Sequence, residues 1–245
     1  MKRVIIIQAR MTSTRLPGKV LMDLAGRPML AQQLRRLAGC KQIDEIVVAT
    51  TTNATDDSVV AAARQAGVRW FRGDERDVLG RYVGAARDAN ADMVIRVTAD
   101  CPLIDAGEAD RVVEALVAQR DRCDYASNIV RRTLPRGLDT EGMYADTLER
   151  LGRVGQSPPA REHVTYFILN ERPDLFIIGS VTDMEDNSDL RWTVDFPEDL
   201  EMVRRLYEEL GIGERTVGYR EILTYVRANP AVAAINASVR HRSSA

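Results

Sequence analysis

The chain has 245 residues, 45% hydrophobic and 29% charged, with a formal net charge of −2. This is the composition of a soluble globular protein, and the near balance of 34 basic and 36 acidic residues excludes the broadly basic face that nucleic-acid binders carry. No stretch approaches the roughly 20 apolar residues of a membrane span, the first apolar run is too short for a signal peptide, and Cys40, Cys101 and Cys123 suit neither a disulfide framework nor a zinc site, so a cytoplasmic protein with reduced thiols is expected.

In chain order, a strand is predicted over 3–8, where Val4-Ile5-Ile6-Ile7 is continuously apolar and β-branched, the pattern of a strand buried on both faces of a parallel sheet. The loop that follows, QARMTSTRLPGKVL from Gln8 to Leu21, gathers Arg10, Arg15 and Lys19 at the carboxyl end of that strand, the edge where open α/β sheets bind ligands. Pro17 and Gly18 rule out a regular helix there, leaving backbone N–H groups to face an anion beside three cations, an arrangement that suits a polyphosphate. Neither glycine-rich phosphate fingerprint is present, and a solvated basic turn is an equal reading of this loop taken alone.

A helix over 28–38, a strand over 45–50, a helix over 55–66, a strand over 68–71, a helix over 77–89 and a strand over 93–98 follow. This rhythm predicts a parallel sheet with helices on both faces. Thr55 reads as the N-cap of the second helix and Gly67 as its terminating residue. Arg72, Asp77 and Arg81 flank the turn after the third strand, either to touch a nucleoside or acceptor or, for Asp77, to cap the helix that carries Arg81.

Asp100 stands just beyond the strand over 93–98, on the same edge as the basic loop. A carboxylate facing cations suggests Mg²⁺ between phosphates, since that ion needs only one or two carboxylates besides phosphate oxygens and water. Asp195, at the end of a strand predicted over 190–194 and ahead of Pro197, is the candidate second ligand or a simple helix cap.

Between 124 and 161 the rhythm breaks on Pro135, Gly137, Gly142, Gly152, Gly155, Pro158 and Pro159, as substrate loops do. A helix over 161–171, a strand over 175–181 and helices over 197–210 and 219–229 complete the expected elements; Leu200, Val203, Leu206, Tyr207 and Leu210 form one apolar stripe. One domain over about 1–230 is expected, with 231–245 as a tail frayed from Ala237 onward, in which His241 has no chemistry and the sequon Asn236-Ala237-Ser238 carries no weight.

Five ordered motifs, QARMTSTRLPGKVL, VTADCPLID, LPRGLDTE, REHVT and LRWTVDFPEDLE, together resemble the cytidylyltransferases of surface-sugar biosynthesis. The likeness is strongest to the SpsF-like, spore-coat-polysaccharide branch; STRLPGK is also similar to the CMP-KDO and CMP-acylneuraminate synthetases. The resemblance implies a three-layer α/β/α nucleotide-diphospho-sugar transferase fold with a mostly parallel sheet, CTP and a sugar or sugar acid as substrates, Mg²⁺ on Asp100 and Asp195, and a homodimer. It implies Arg10, Arg15, Lys19 and Asp100 as the catalytic set, and a nucleotide held by these with Gln8, Ala9, Met11, Ser13, Thr14 and Thr98, joined by Arg72, Asp77 and Arg81. Arg136, Asp139, Glu141, Arg161, His163 and Arg191 would line the acceptor pocket, although Arg161 and Glu162 read equally well as a helix-start ion pair. The expected reaction transfers CMP with release of pyrophosphate. A sugar transferase on a similar sheet, or a non-catalytic nucleotide-sugar sensor, are the alternatives; the first would favour a D-x-D motif, which Asp100-Cys101-Pro102 does not supply.

Overall fold

A computed structural model of the chain describes residues 1–119 and 122–239. Strand β1 (Arg3–Gln8) is followed by a ribbon of β2 (Asp23–Leu24) and β3 (Arg27–Pro28), helix α1 (Met29–Leu37), β4 (Glu45–Thr51), α2 (Asp57–Gln65), β5 (Arg69–Gly73), α3 (Val78–Asp88), β6 (Met93–Thr98) and α4 (Ala106–Ala118). Then come β7 (Tyr125–Ser127), β8 (Glu141–Tyr144), α5 (Ala145–Val154), α6 (Pro158–His163), β9 (Ile178–Ser180), α7 (Pro197–Leu210), α8 (Tyr219–Ala228) and α9 (Pro230–Ala234).

Seven strands form one sheet in the order β5-β4-β1-β6-β8-β7-β9, in which β8 alone runs against the rest. Val4, Ile5, Ile6 and Ile7 are fully buried at its centre, and they alternate: Ile5 and Ile7 join the core beneath α1, α2 and α4, while Val4 and Ile6 join the core beneath α3 and α5. Each such side chain is worth roughly 1.5–3 kcal/mol of burial, so the apolar run that announced the strand is also what fixes it between two helical layers. A third core, built on α7 and α8 with Trp192 and Val194, stands beside the sheet.

Several expectations are corrected. The segment 124–161 is irregular chiefly over 128–140, where Pro135 and Gly137 lie; β8 then inserts beside β6 and α5 packs behind it, and Gly142, whose absent side chain leaves room for Leu116 and Val112, belongs to a strand and is no breaker. Helix α4 is absent from the expected elements, although Asp105 caps it and Ala109, Val112, Val113 and Leu116 share its buried face. The helix expected over 161–171 ends at His163: Val164 adopts φ 54 and ψ −64, its neighbour Thr165 N donates to His163 O at 2.5 Å, and a π-helical turn follows. Residues 190–194 form no strand, since Trp192 N and Thr193 N both donate to Arg136 O and leave one isolated bridge, Arg136 to Arg191. Thr55 lies inside a 3-10 turn and caps nothing, whereas Gly67 does end α2 with φ 69. Residues 230–236 are built into the third core, with Asn236 buried; His241 lies outside the described residues.

Candidate active site

The carboxyl ends of β1, β4, β5 and β6 open onto one edge, and the β1 loop crosses it. Buried Asp56, at the turn into α2, ties the loop down: Oδ1 accepts from Met11 N at 2.8 Å, and Oδ2 accepts from Thr50 Oγ1, Thr51 N and Thr51 Oγ1. Gly18, at φ 72, turns the loop back so that Gly18 N donates to Met11 O at 2.9 Å. Two of the N–H groups expected to face an anion are therefore used internally. Asp56 is not among the expected site residues; its hold on the loop runs through Met11 N, a main-chain partner that carries no residue-type signature.

Beneath the loop, Lys19 Nζ donates to Val194 O at 2.6 Å, Asp195 Oδ1 at 2.9 Å and Asp100 Oδ2 at 3.2 Å. The two aspartates that stand 95 positions apart in the chain thus meet on one ammonium group. The main chain makes this possible: Val194 N and Thr193 Oγ1 both donate to Asp100 O, and Gly137, at φ 114, lies so close to Trp192 and Thr193 that a side chain would collide with their backbone. Arg15 Nη2 donates to Asp195 Oδ1 at 2.6 Å and Arg191 Nη2 to Asp195 Oδ2 at 2.9 Å. Asp195 is no helix cap; that position belongs to Phe196, and the carboxylate serving the helix start is Asp199.

Electrostatics follow from this arrangement. Burial alone would raise the Asp100 carboxyl, but the Lys19 charge and the Thr98 hydroxyl, which donates to Oδ1 at 2.6 Å, bring it down to about 2. Lys19 is likewise desolvated, yet the two carboxylates raise its pKa above the ordinary value, so Lys19 and Asp100 both stay charged. Burial, then Asp100, pushes the Cys101 thiol well up, leaving it protonated and unfit as a nucleophile.

The cleft above these groups holds about 280 Å³. Of the predicted residues, Gln8, Ala9, Arg10, Ser13, Thr14, Arg15, Lys19, Arg81, Thr98, Asp100 and His163 line it; Val20, Val78, Ala99 and Glu162 complete the wall. The others stand elsewhere. Arg72 is spent on Thr51 O, Asn53 O and Asp57, clamping the β4–α2 connection. Asp77 caps α3 through Gly80 N and pairs with Arg161, which settles the partner of Arg161 as Asp77 and not Glu162. Asp139 takes both arms of Arg132, and Glu141 is buried under the sheet edge on Arg96, Tyr125 and Thr165. Met11 contributes its backbone to Asp56, Arg136 its backbone to residues 190–193, and Arg191 its side chain to Asp195 and Asp199.

Among the described residues no three His, Cys, Asp or Glu side chains cluster in a way that would hold a metal. Asp100 and Asp195 offer a pair of hard oxygen donors, and with Asp199 they face Lys19, Arg15 and Arg191, three acids against three bases. That donor set fits a hard divalent cation arriving with phosphate oxygens and water, and does not fit a metal held by protein alone.

Comparison with known proteins agrees with the geometry. A protein-family model described as cytidylyltransferase matches residues 4–216. The spore coat polysaccharide biosynthesis protein SpsF of Bacillus subtilis is 34% identical over 92% of this chain and 94% of its own length. A solved cytidylyltransferase from Leptospira borgpetersenii superposes with a TM-score of 0.91 at 32% identity, covering 98% of this chain and all of that one. A solved CMP:2-keto-3-deoxy-manno-octonic acid synthetase in complex with CTP shares the fold, with a TM-score of 0.66 at 20% identity over 86% of this chain and all of that one.

Proposed function

Since the chain belongs to the cytidylyltransferase family, and is a nucleotidyltransferase on the nucleotide-diphospho-sugar transferase fold, we propose that it transfers CMP from CTP to an oxygen of a sugar or sugar acid in the making of a surface polysaccharide or glycan. The acceptor oxygen attacks the α-phosphorus, the bond to the bridging oxygen breaks, and pyrophosphate leaves. The meeting of Lys19, Asp100 and Asp195 under a basic loop is the observation that most supports this reading.

Such a transfer asks for in-line positioning and charge neutralisation more than for covalent chemistry. Arg10 and Arg15, half exposed on the loop, meet the phosphates; a unit charge about 4 Å away at an effective dielectric near 20 is worth ~4 kcal/mol before desolvation. Lys19 acts differently from the expectation. Its three N–H donors are already spent, so it holds the two aspartates in place and acts on the departing pyrophosphate by charge through space. Asp100 and Asp195 would hold Mg²⁺, which when bound supplies Lewis-acid polarisation of phosphate oxygens. Glu162 and His163, which also line the cleft, would meet the acceptor.

The test is to incubate the protein with Mg²⁺, each nucleoside triphosphate and a panel of sugars and sugar acids, and to measure pyrophosphate and nucleotide-sugar. Pyrophosphate with CTP and one acceptor class is expected; equal release from all nucleotides would remove the cytosine preference, and none would remove the reading. Because acids and bases balance at the site, calorimetry should detect Mg²⁺ uptake only with CTP present.

A further inference from the structure

Asp199 is fully buried in the first turn of α7 and accepts five hydrogen bonds. Oδ2 takes Asp195 N, Phe196 N and Arg191 Nη2, each at 3.0 Å; Oδ1 takes Arg191 Nε at 2.9 Å and Asn236 Nδ2 at 2.8 Å. A helix start needs only the bond to Phe196 N. The others lock the main chain of Asp195 and the guanidinium whose Nη2 holds Asp195 Oδ2. Asn236 closes this assembly from a distance of 37 positions, its second N–H donating to Arg191 O at 3.0 Å, and its side chain is shut off from solvent just beyond α9. Buried polar groups this fully paired keep one geometry, because every alternative leaves a donor or acceptor without a partner.

We propose that Asn236, in a segment beyond the 4–216 span of the family match, is a positioning residue: through Asp199 and Arg191 it sets the carboxylate of Asp195 for the metal-bound nucleotide. This rests on the magnesium reading above. Groups that orient a metal-binding carboxylate commonly cost about 10–100-fold in affinity when removed, and the indirect link puts Asn236 at about 10-fold.

The experiment titrates CTP into the full chain by calorimetry, with and without Mg²⁺, for the wild type, Asn236→Ala and Val232→Ala, alongside thermal melts. Val232 is buried in the same core on α9, and its apolar side chain can make no hydrogen bond or ion pair to Asp195, Asp199 or Arg191, so its variant reports packing loss alone. Asn236→Ala is expected to lose about 10-fold of the Mg²⁺-dependent affinity and to keep metal-free CTP affinity within about 2-fold, while Val232→Ala melts lower and keeps both. Unchanged Mg²⁺-dependent affinity in Asn236→Ala, or an equal loss in Val232→Ala, would overturn the positioning role. A wild type without Mg²⁺-dependent uptake would instead remove the magnesium reading, and this role with it.

Discussion

Arg10 and Arg15 stand on one side of the cleft with 39% and 41% of their side chains exposed, whereas Lys19, Asp195 and Arg191 beneath them lie at 9%, 11% and 9%. The upper cations have one carboxylate partner each and can turn to a ligand at little desolvation cost. The lower charges are bonded in a closed set before any ligand arrives. One wall therefore adapts and the other is preorganised, and a substitution should cost binding on the first and both chemistry and stability on the second.

Lys19→Ala breaks the lower wall most. It leaves Asp100 and Asp195 facing each other without their shared cation, so turnover should fall by about 10²–10³ and stability by ~3 kcal/mol, measured by steady-state kinetics and urea melts. Near wild-type turnover would erase the distinction between the walls.

Asp100 offers a sharper reading of the same wall through pH. Its carboxyl is depressed on folding, so its stabilisation is complete above the unfolded value near 4 and is lost as pH falls toward about 2. Urea melts at pH 6 and pH 2.5 should show Asp100→Asn losing roughly 2 kcal/mol less than the wild type across that interval. An equal acid loss in both would mean that this carboxyl is not depressed on folding.

On the upper wall, Arg15→Ala should raise KM for CTP about 10-fold and shift stability by less than about 1 kcal/mol, because its pair with Asp195 is partly solvated and Lys19 still neutralises that carboxylate. The smallest kinetic effect belongs to Arg72→Ala: about 1 kcal/mol of stability is lost with its bonds to Thr51 O and Asn53 O, and KM for CTP stays unchanged. A raised KM there would return Arg72 to the nucleotide site.

Much of the cleft's edge was legible. The β-branched run of β1 located the central strand, the glycine and proline of the loop marked its turn, and strand ends placed Gln8, Thr98 and Asp100 on one edge. Other assignments fared differently, since Asp77 on the nucleotide side and Asp139, Glu141 and Arg161 on the acceptor side are bonded to partners within the protein. Residue type announces a charge, but whether that charge faces a cleft or a neighbouring side chain depends on what the chain brings beside it.

The sequence by itself determined the alternation of strands and helices, the buried centre of the sheet and the positive loop at its carboxyl edge, because burial periodicity and turn chemistry are local properties of consecutive residues. Only the tertiary structure decided that Lys19 would be consumed between Asp100 and Asp195, and that Asn236 would close the lower wall through Asp199. Those decisions are made by main-chain bonds such as Val194 N to Asp100 O, which every residue type except proline can donate and which leave no mark in the pattern of side chains.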